Sequence, residues 1–188
     1  MLEQPPLLAV RRGFERPALA VVERFRGAEA AQVSDAQGGG GALDHRIRAV
    51  VAPPGGSVVG PTLTCETGPA DVLAALAALD VALPGDILLI ATGGWTGTAS
   101  IGDLFAAAAR NAGLAAIVTD GLVRDVDGLE RAGVPVYAAG LTPSSPAASG
   151  PGTVGLRVVV GGVPVEPGDV IVCDRTGVVI VPRVRAEE

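Results

Sequence analysis

The amino-acid sequence predicts an α/β fold with a central parallel βαβ unit and β-hairpins in its C-terminal third. Between residues 86 and 138, short apolar runs alternate with segments of helical pattern, as in parallel strands joined by crossover helices. After residue 144, the pattern changes to valine-rich runs separated by glycine turns, which is typical of hairpins. A length of 188 residues fits one domain with a sizeable core, so we expect a single domain over residues 1–188.

The N-terminal part is expected to be a helical lead-in over about residues 1–31, with a helix at residues 17–31 that has a proline in its first turn. Four consecutive glycines follow, Gly38 to Gly41. They indicate either a flexible connector or a backbone that passes close to a ligand or a neighbouring subunit. The next expected elements are extended segments at 48–52 and 57–65 and a helix at 69–79.

The central unit has the clearest pattern. Residues 86–91 form a continuous apolar run, as expected for a strand that is covered on both faces. A helix is expected to begin at Gly102-Asp103, to run through Asn111 and to end at Gly113. The remaining expected elements are a strand at 115–119, a short helix at 127–132, and strands at 134–138, 154–160, 163–165, 170–173 and 178–181, with a Gly161-Gly162 turn.

Composition limits the partners and the cellular location. The formal net charge is −6 and the chain has only three Phe, one Trp and one Tyr, which disfavours direct binding of nucleic acid or anionic membranes. No apolar stretch reaches the ~18 residues of a membrane span. The first residues lack the basic and apolar regions of a secretory signal, so we expect a cytoplasmic protein.

The histidine and cysteine counts exclude several kinds of site. His45 is the only histidine and lies in a charged segment without a nucleophile motif, so we expect it to be exposed and a histidine-rich zinc site is excluded. Cys65 and Cys173 have no metal-site spacing and are expected to be buried thiols. All 14 basic residues are arginine, so no lysine is present for a Schiff base or a phosphate loop.

The most informative motif is Asp103, followed after twenty residues by Arg124-Asp125. Both parts follow apolar runs of the central unit, and ligands of open α/β sheets bind beyond the carboxyl ends of the strands. Two carboxylates and a guanidinium can hold a divalent cation and an oxyanion together. Two structural explanations stay open, in which Asp103 is a helix N-cap and Arg124-Asp125 is a surface ion pair or turn.

The first turn of the helix after Gly102 is also expected to bind an anion. The backbone amides of Leu104 and Phe105 have no partners within a helix, and the helix dipole favours negative charge there. A substrate carboxylate is the group that we expect at these amides.

Further motifs accompany this spacing, namely Val33-Ser34-Asp35-Ala36, Val59-Gly60-Pro61, Gly93-Gly94, Ala99, Gly121, Val126-Asp127, Pro167-Gly168-Asp169, Asp174 and Gly177. Together they resemble the family that contains regulator of ribonuclease activity A and the class II 4-hydroxy-4-methyl-2-oxoglutarate/4-carboxy-4-hydroxy-2-oxoadipate aldolases. The resemblance covers residues 33–182, and the spacing from Asp103 to Arg124-Asp125 is that of the aldolase branch.

The resemblance implies a swivelling β/β/α fold, assembled as a homotrimer or a dimer of trimers with sites at subunit interfaces. It implies that Asp125 binds Mg²⁺ or Mn²⁺ directly, that Asp103 acts through a coordinated water, and that Arg124 contacts the keto and enolate oxygen of a 2-oxo acid. The Leu104 and Phe105 amides would bind the substrate carboxylate. The implied reaction cleaves 4-hydroxy-2-oxo-dicarboxylic acids to pyruvate, and oxaloacetate decarboxylation would proceed through the same enolate.

The identity of the base stays open between Asp35, acting from a neighbouring subunit, and a metal-bound water. The sequence also departs from the family at Trp95, at Gly38 to Gly41, and at its end, Glu188, before the helix that supplies a further glutamate in some aldolases. The main alternative is a non-catalytic regulator that binds a ribonuclease or an RNA helicase through its acidic surface. A methyltransferase has little support, because no acidic adenosine-binding residue follows the strand after Gly93-Gly94.

Overall fold

The computed structural model describes residues 6–188, and the expectation about a secretory signal concerns mainly residues 1–5, which lie outside this range. The helices are α1 (Leu19–Glu23), α2 (Ala30–Ala36), α3 (Leu73–Leu79), α4 (Asp103–Asn111) and α5 (Val126–Ala132), followed by a 3₁₀ turn at Arg183–Arg185. The strands are β1 (Leu8–Val10), β2 (Arg48–Val51), β3 (Ser57–Thr67), β4 (Ile87–Ala91), β5 (Ala99–Ile101), β6 (Ala116–Thr119), β7 (Leu122–Val123), β8 (Val136–Ala138), β9 (Gly140–Leu141), β10 (Gly152–Val154), β11 (Val158–Val160), β12 (Val163–Val165), β13 (Val170–Asp174) and β14 (Val178–Val181).

The main sheet confirms the predicted parallel unit. Its strand order is β1-β10-β3-β4-β6-β8-β2, and β3, β4, β6 and β8 are parallel neighbours. β10 and β2 are antiparallel to the parallel strands that they pair with, and β13 joins β3 and β14 in an antiparallel arrangement. The α4 and α5 crossovers therefore connect adjacent parallel strands, as the alternating pattern indicates.

The layers of the molecule follow from alternating side chains on the strands. Leu88 and Ile90 of β4 face a core that includes residues of α3, α4 and α5. Ile87 and Leu89 face a second core that is shared with the hairpins β11–β12 and β13–β14. Because both faces of β4 are covered, all five of its residues are buried, which explains its continuous apolar sequence.

A third apolar cluster places α2 far from α4. The outward side chains Val170 and Val172 of β13 pack with Val33 of α2. The order of layers is therefore α3/α4/α5, the central sheet, the hairpins and then α2. This β/β/α arrangement agrees with the expected fold.

Three of the expected element boundaries are wrong. The predicted helix at 17–31 is divided into α1 and α2, because Gly27 adopts φ 81° between them. The predicted helix at 69–79 begins only at Leu73, whose amide donates to the Asp71 carboxylate. The predicted strand at 154–160 is interrupted at Gly155, which turns with φ 71°.

The glycine run has a structural explanation at Gly41. Gly41 has φ 80°, its carbonyl accepts a hydrogen bond from the Ile180 amide at 2.8 Å, and an added Cβ would collide with the Ile180 carbonyl. The run therefore passes close to β14 of its own chain at that position.

Other expectations from composition are confirmed. Cys65 and Cys173 are fully buried, and burial raises the pKa of each thiol. The His45 side chain is 82% exposed. Among residues 6–188, every helix is too short or too polar to cross a membrane.

Candidate active site

A small parallel sheet brings the predicted site residues together. The strands β5, β7 and β9 continue beyond the carboxyl ends of β4, β6 and β8 and form a three-stranded sheet of their own. Asp103 follows β5 directly, and Arg124 and Asp125 follow β7 directly. An added Cβ on Gly102 would lie 2.5 Å from Oδ2 of Asp125 and 3.1 Å from Nε of Arg124. The start of α4 therefore lies next to Arg124 and Asp125.

Asp125 has an unusual backbone conformation. Its φ and ψ are 61° and 48°, in the left-handed region, which costs a non-glycine residue roughly 1–2 kcal/mol. It is also the N-cap of α5, and its carbonyl accepts the amides of Gly128 at 2.8 Å and Leu129 at 2.9 Å. Such strain tends to persist where the surrounding structure and function require it. The Asp125 carboxylate makes no capping hydrogen bond to α5, and the side chain is 42% exposed, so the carboxylate can bind a ligand.

Arg124 carries an unsatisfied donor. Its Nε lies 3.2 Å from Oδ2 of Asp125, but the contact lacks hydrogen-bond geometry, and Nε is buried without a hydrogen-bond partner. The Arg124 side chain as a whole is 33% exposed, so the outer nitrogens of its guanidinium, and not the buried Nε, can reach a ligand. The Arg124–Asp125 pair differs from a fully exposed surface ion pair, because Nε of Arg124 is buried.

Asp103 is held between α4 and α5. It is the first residue of α4, and Gly102 rather than Asp103 is the N-cap, so the N-cap explanation is wrong. An added Cβ on Gly128 would lie 2.6 Å from Oδ2 of Asp103, which shows that Gly128 makes room for this side chain. The Asp103 carboxylate therefore faces the first turn of α5, the helix that Asp125 caps.

The prediction that the Leu104 amide is a free donor is wrong. This amide donates to Oδ1 of Asp103 at 2.8 Å, because the carboxylate folds back over the first helical turn. The Phe105 amide has no partner among residues 6–188, so it stays available to an anion. The Leu104 side chain is 84% exposed, whereas the Phe105 side chain is buried in the core.

Asp35 is not brought to the other site residues within one chain. It is exposed on α2, which packs on β13 and β14 with the hairpin layer and the central sheet between it and α4. Asp35 can therefore join Asp103, Arg124 and Asp125 only from another copy of the chain.

The site fits a hard divalent cation with few protein ligands. Within residues 6–188, no group of three or more His, Cys, Asp or Glu side chains is arranged to hold a metal ion. Asp125 and Asp103 supply two carboxylates, and Mg²⁺ is commonly bound through one or two carboxylates, with water and substrate oxygens as its other ligands. The donor chemistry therefore agrees with Mg²⁺ or Mn²⁺ and disagrees with a structural zinc site.

Two large cavities lie elsewhere on the same edge of the main sheet. They have volumes of about 790 and 760 Å³ and both include Gly93 and Gly94, but neither includes Asp103, Arg124 or Asp125. Trp95 lines the second cavity, at the opposite end of β5 from Asp103. These two cavities are therefore separate from the candidate site.

The sequence analysis missed Gly128 and Asp120. A glycine within a short helix costs about 1 kcal/mol relative to alanine, so Gly128 in α5 was itself a signal of close packing. Asp120 accepts three hydrogen bonds from residues 92 and 94, and no sequence spacing indicated this role.

The chain is similar to known proteins in sequence and in fold. A family model described as "RraA-like: Aldolase/RraA" matches residues 30–180. A protein of Halalkalibacterium halodurans named "Putative 4-hydroxy-4-methyl-2-oxoglutarate aldolase" is 35% identical over 130 residues, which are 69% of this chain and 62% of that protein. The chain thus spans about three fifths of the length of this curated relative.

Two solved structures have the same fold. Streptomyces coelicolor RraAS2, "an unusual member of the RNase ES inhibitor RraA protein family", has a TM-score of 0.79 at 29% identity, covering 92% of this chain and 90% of its own. The "RNA-processing inhibitor RraA from Thermus thermophilis" has a TM-score of 0.74 at 28% identity, covering 82% of this chain and 93% of its own.

Proposed function

The chain belongs to the RraA-like family, Aldolase/RraA, and from this premise we propose that it is a divalent-metal-dependent class II aldolase. The proposed reaction cleaves 4-hydroxy-2-oxo-dicarboxylic acids to pyruvate and a second 2-oxo acid, with oxaloacetate decarboxylation as a side activity. The observation that carries the proposal is the ion pair of Arg124 with Asp125, whose backbone is strained, next to Gly102 at the start of α4. The aldolase relatives support the same reaction class.

Asp125 and Asp103 are the residues that would hold Mg²⁺ or Mn²⁺. When bound, the cation supplies a Lewis acid at the 2-oxo acid group, which an enzyme without lysine needs because it cannot form a Schiff base. Loss of either carboxylate should weaken metal binding.

Arg124 would stabilise the charge that develops in the reaction. Removal of the proton from the C4 hydroxyl turns this carbon into a carbonyl, and the C3–C4 bond breaks toward the keto group. The electron pair becomes the enolate of pyruvate, and C3 then accepts a proton. The partly exposed Arg124 guanidinium would place a fixed positive charge where the enolate oxygen forms. Decarboxylation of oxaloacetate breaks the equivalent bond and gives the same enolate.

The substrate carboxylate would bind at the start of α4. The Phe105 amide is available, and the Leu104 amide would be available only if Asp103 no longer accepted its hydrogen bond. The dipole of this nine-residue helix adds to the attraction. Binding of cation and substrate at this helix would thus be coupled through one carboxylate.

Asp35 is the side chain that we propose as the base, contributed by another copy. A homotrimer or a dimer of trimers would place α2 of one subunit against α4 of the next. The 84% exposed Leu104 and 56% exposed Leu141 support an interface at this place, since exposed apolar side chains often mark contact surfaces. The proposed location is the cytoplasm.

A non-catalytic regulator is the second candidate. Both RraA structures named above support it, and the net charge of −6 suits a basic partner such as a ribonuclease or an RNA helicase. A regulator would have no need of the strained Asp125 conformation.

Pyruvate release tests the proposal. The chain is assayed with 4-hydroxy-4-methyl-2-oxoglutarate and with oxaloacetate, each with Mg²⁺ or with a chelator. We expect metal-dependent release, a loss of at least ~100-fold in Asp125→Asn, and no change in Asp127→Asn, an exposed acid two residues further along α5. Absence of metal-dependent release from both substrates would favour the regulator.

A further inference from the structure

A single carboxylate organises the loop between β4 and β5. Oδ1 of Asp120 accepts the Thr92 amide at 2.7 Å and the Thr92 hydroxyl at 2.9 Å, and Oδ2 accepts the Gly94 amide at 3.0 Å. The Thr92 hydroxyl in turn accepts the Trp95 amide at 3.2 Å. Asp120 lies at the turn between β6 and β7, so it connects this turn to the loop.

The two segments are also in direct contact. An added Cβ on Gly121 would lie 2.9 Å from the Thr92 side chain, so the turn packs closely on the loop. Past this contact, β5 and β7 run side by side, but their register shifts between Ala99 and Ile101. Strands of two or three residues form few hydrogen bonds, and such short pairings specify their register weakly. The alignment of β5 with β7 therefore depends on contacts at its ends.

The far end of this pairing is the candidate site. The Arg124 amide donates to the Ile101 carbonyl at 3.2 Å, and Gly102 then passes beneath Arg124 and Asp125. These contacts link the segments in a ring. Asp120 binds the loop that leads into β5, and β5 leads to Gly102. Gly102 contacts Arg124 and Asp125, which β7 connects back to Asp120. If β7 shifted along β5 near Asp120, Arg124 and Asp125 would move away from Gly102 at the opposite end of the strand pair.

We propose that Asp120 is a positioning residue, which aligns β5 with β7 and thereby places Arg124 and Asp125. A carboxylate is required because both oxygens accept from N–H or O–H donors. Asparagine has an NH₂ group in place of one oxygen, and this group would face an N–H or O–H donor from which it cannot accept a hydrogen bond. The consequence for catalysis rests on the proposed function, whereas the alignment itself does not.

The test compares Asp120→Asn with Glu66→Gln in the full-length chain. Glu66 is an exposed acid at the end of β3 that lines the same cavity, and its side chain has no hydrogen bond within the described part of the chain. Two quantities are measured, the steady-state kinetics of pyruvate release and the exchange rate of the Arg124 amide hydrogen by NMR. A melting curve confirms that each variant is folded.

We expect kcat of Asp120→Asn to fall about 10- to 100-fold with KM changed less than about threefold, because small misplacements of catalytic groups cost this much. The Arg124 amide should exchange at least about tenfold faster, and Glu66→Gln should match the wild type in both measurements. Unchanged exchange in Asp120→Asn would overturn the inference, as would an equal loss in Glu66→Gln. If the wild type releases no pyruvate, the proposed function fails and the exchange rate alone decides the alignment.

Discussion

Gly128→Ala tests how closely Asp103 must be held between α4 and α5. The new Cβ would lie 2.6 Å from Oδ2 and 2.9 Å from Cγ of Asp103, whereas ordinary van der Waals contact begins at 3.4 Å. The closest contact is with Cβ of Asp103, so Asp103 must move by about 1 Å, or the two helices must separate by a similar distance. The contact includes the base of the side chain, so rotation of the carboxylate alone does not relieve it.

The expected magnitudes follow from this displacement. Alanine gains about 1 kcal/mol of helix propensity over glycine, and overpacking costs about 1–3 kcal/mol. The free energy of unfolding should thus fall by at most about 2 kcal/mol, which lowers the melting temperature by roughly 4–8 °C. A misplacement approaching 1 Å can cost about 100-fold in rate, so kcat should fall much more than stability.

The assay is metal-dependent pyruvate release, combined with thermal melting. Gly55→Ala is the matched control, because no atom lies within 4 Å of its added Cβ and its backbone conformation suits alanine. The reasoning is refuted if Gly128→Ala retains wild-type kcat, or if Gly55→Ala loses as much.

Three further predictions concern other residues. Arg124→Lys should lower kcat/KM at least about tenfold, because lysine lacks the planar guanidinium with its several fixed donors; wild-type kinetics would contradict this. Asp35→Asn and Asp125→Asn should each be inactive as pure proteins, and mixed subunits should regain activity if Asp35 acts from another copy; no recovery would exclude that role. Burial opposes the charge of Asp174, but the Thr176 hydroxyl and backbone amides, including that of Ala30 at the start of α2, outweigh it and lower its pKa. This stabilisation is present above the ordinary aspartate pKa of ~3.9 and is lost as pH falls through the lowered value. Asp174→Asn should therefore lower the melting temperature by about 2–4 °C at pH 7 and by less at pH 3, and an equal loss at both values would refute it.

The central unit could be predicted because local and tertiary preferences agree there. β4 is apolar throughout because cores cover both of its faces, and α4 ends next to Gly113, which has the left-handed conformation that its sequence suggests. The breaks at Gly27 and Gly155 could not be predicted, because either glycine is tolerated within a helix or a strand. The sheet of β5, β7 and β9 has strands of two or three residues, which are too short to show periodicity.

The main residues of the candidate site could be predicted from the sequence, but the contacts that hold them in place could not. Asp103 comes after β5, and Arg124 and Asp125 come after β7, which pairs with β5, so the topology alone brings these segments together. The hydrogen bond from the Leu104 amide to Asp103 depends on a side-chain rotamer, which the sequence does not determine. The role of Asp120 depends on the path of a loop between two strands.

Calorimetric titration with Mn²⁺, with and without pyruvate, tests most directly whether Asp103, Arg124 and Asp125 form one site. We expect one Mn²⁺ site per chain in the wild type, tighter binding when pyruvate is present, and at least about tenfold weaker binding in Asp125→Asn. Equal Mn²⁺ affinity in the wild type and in Asp125→Asn would contradict it.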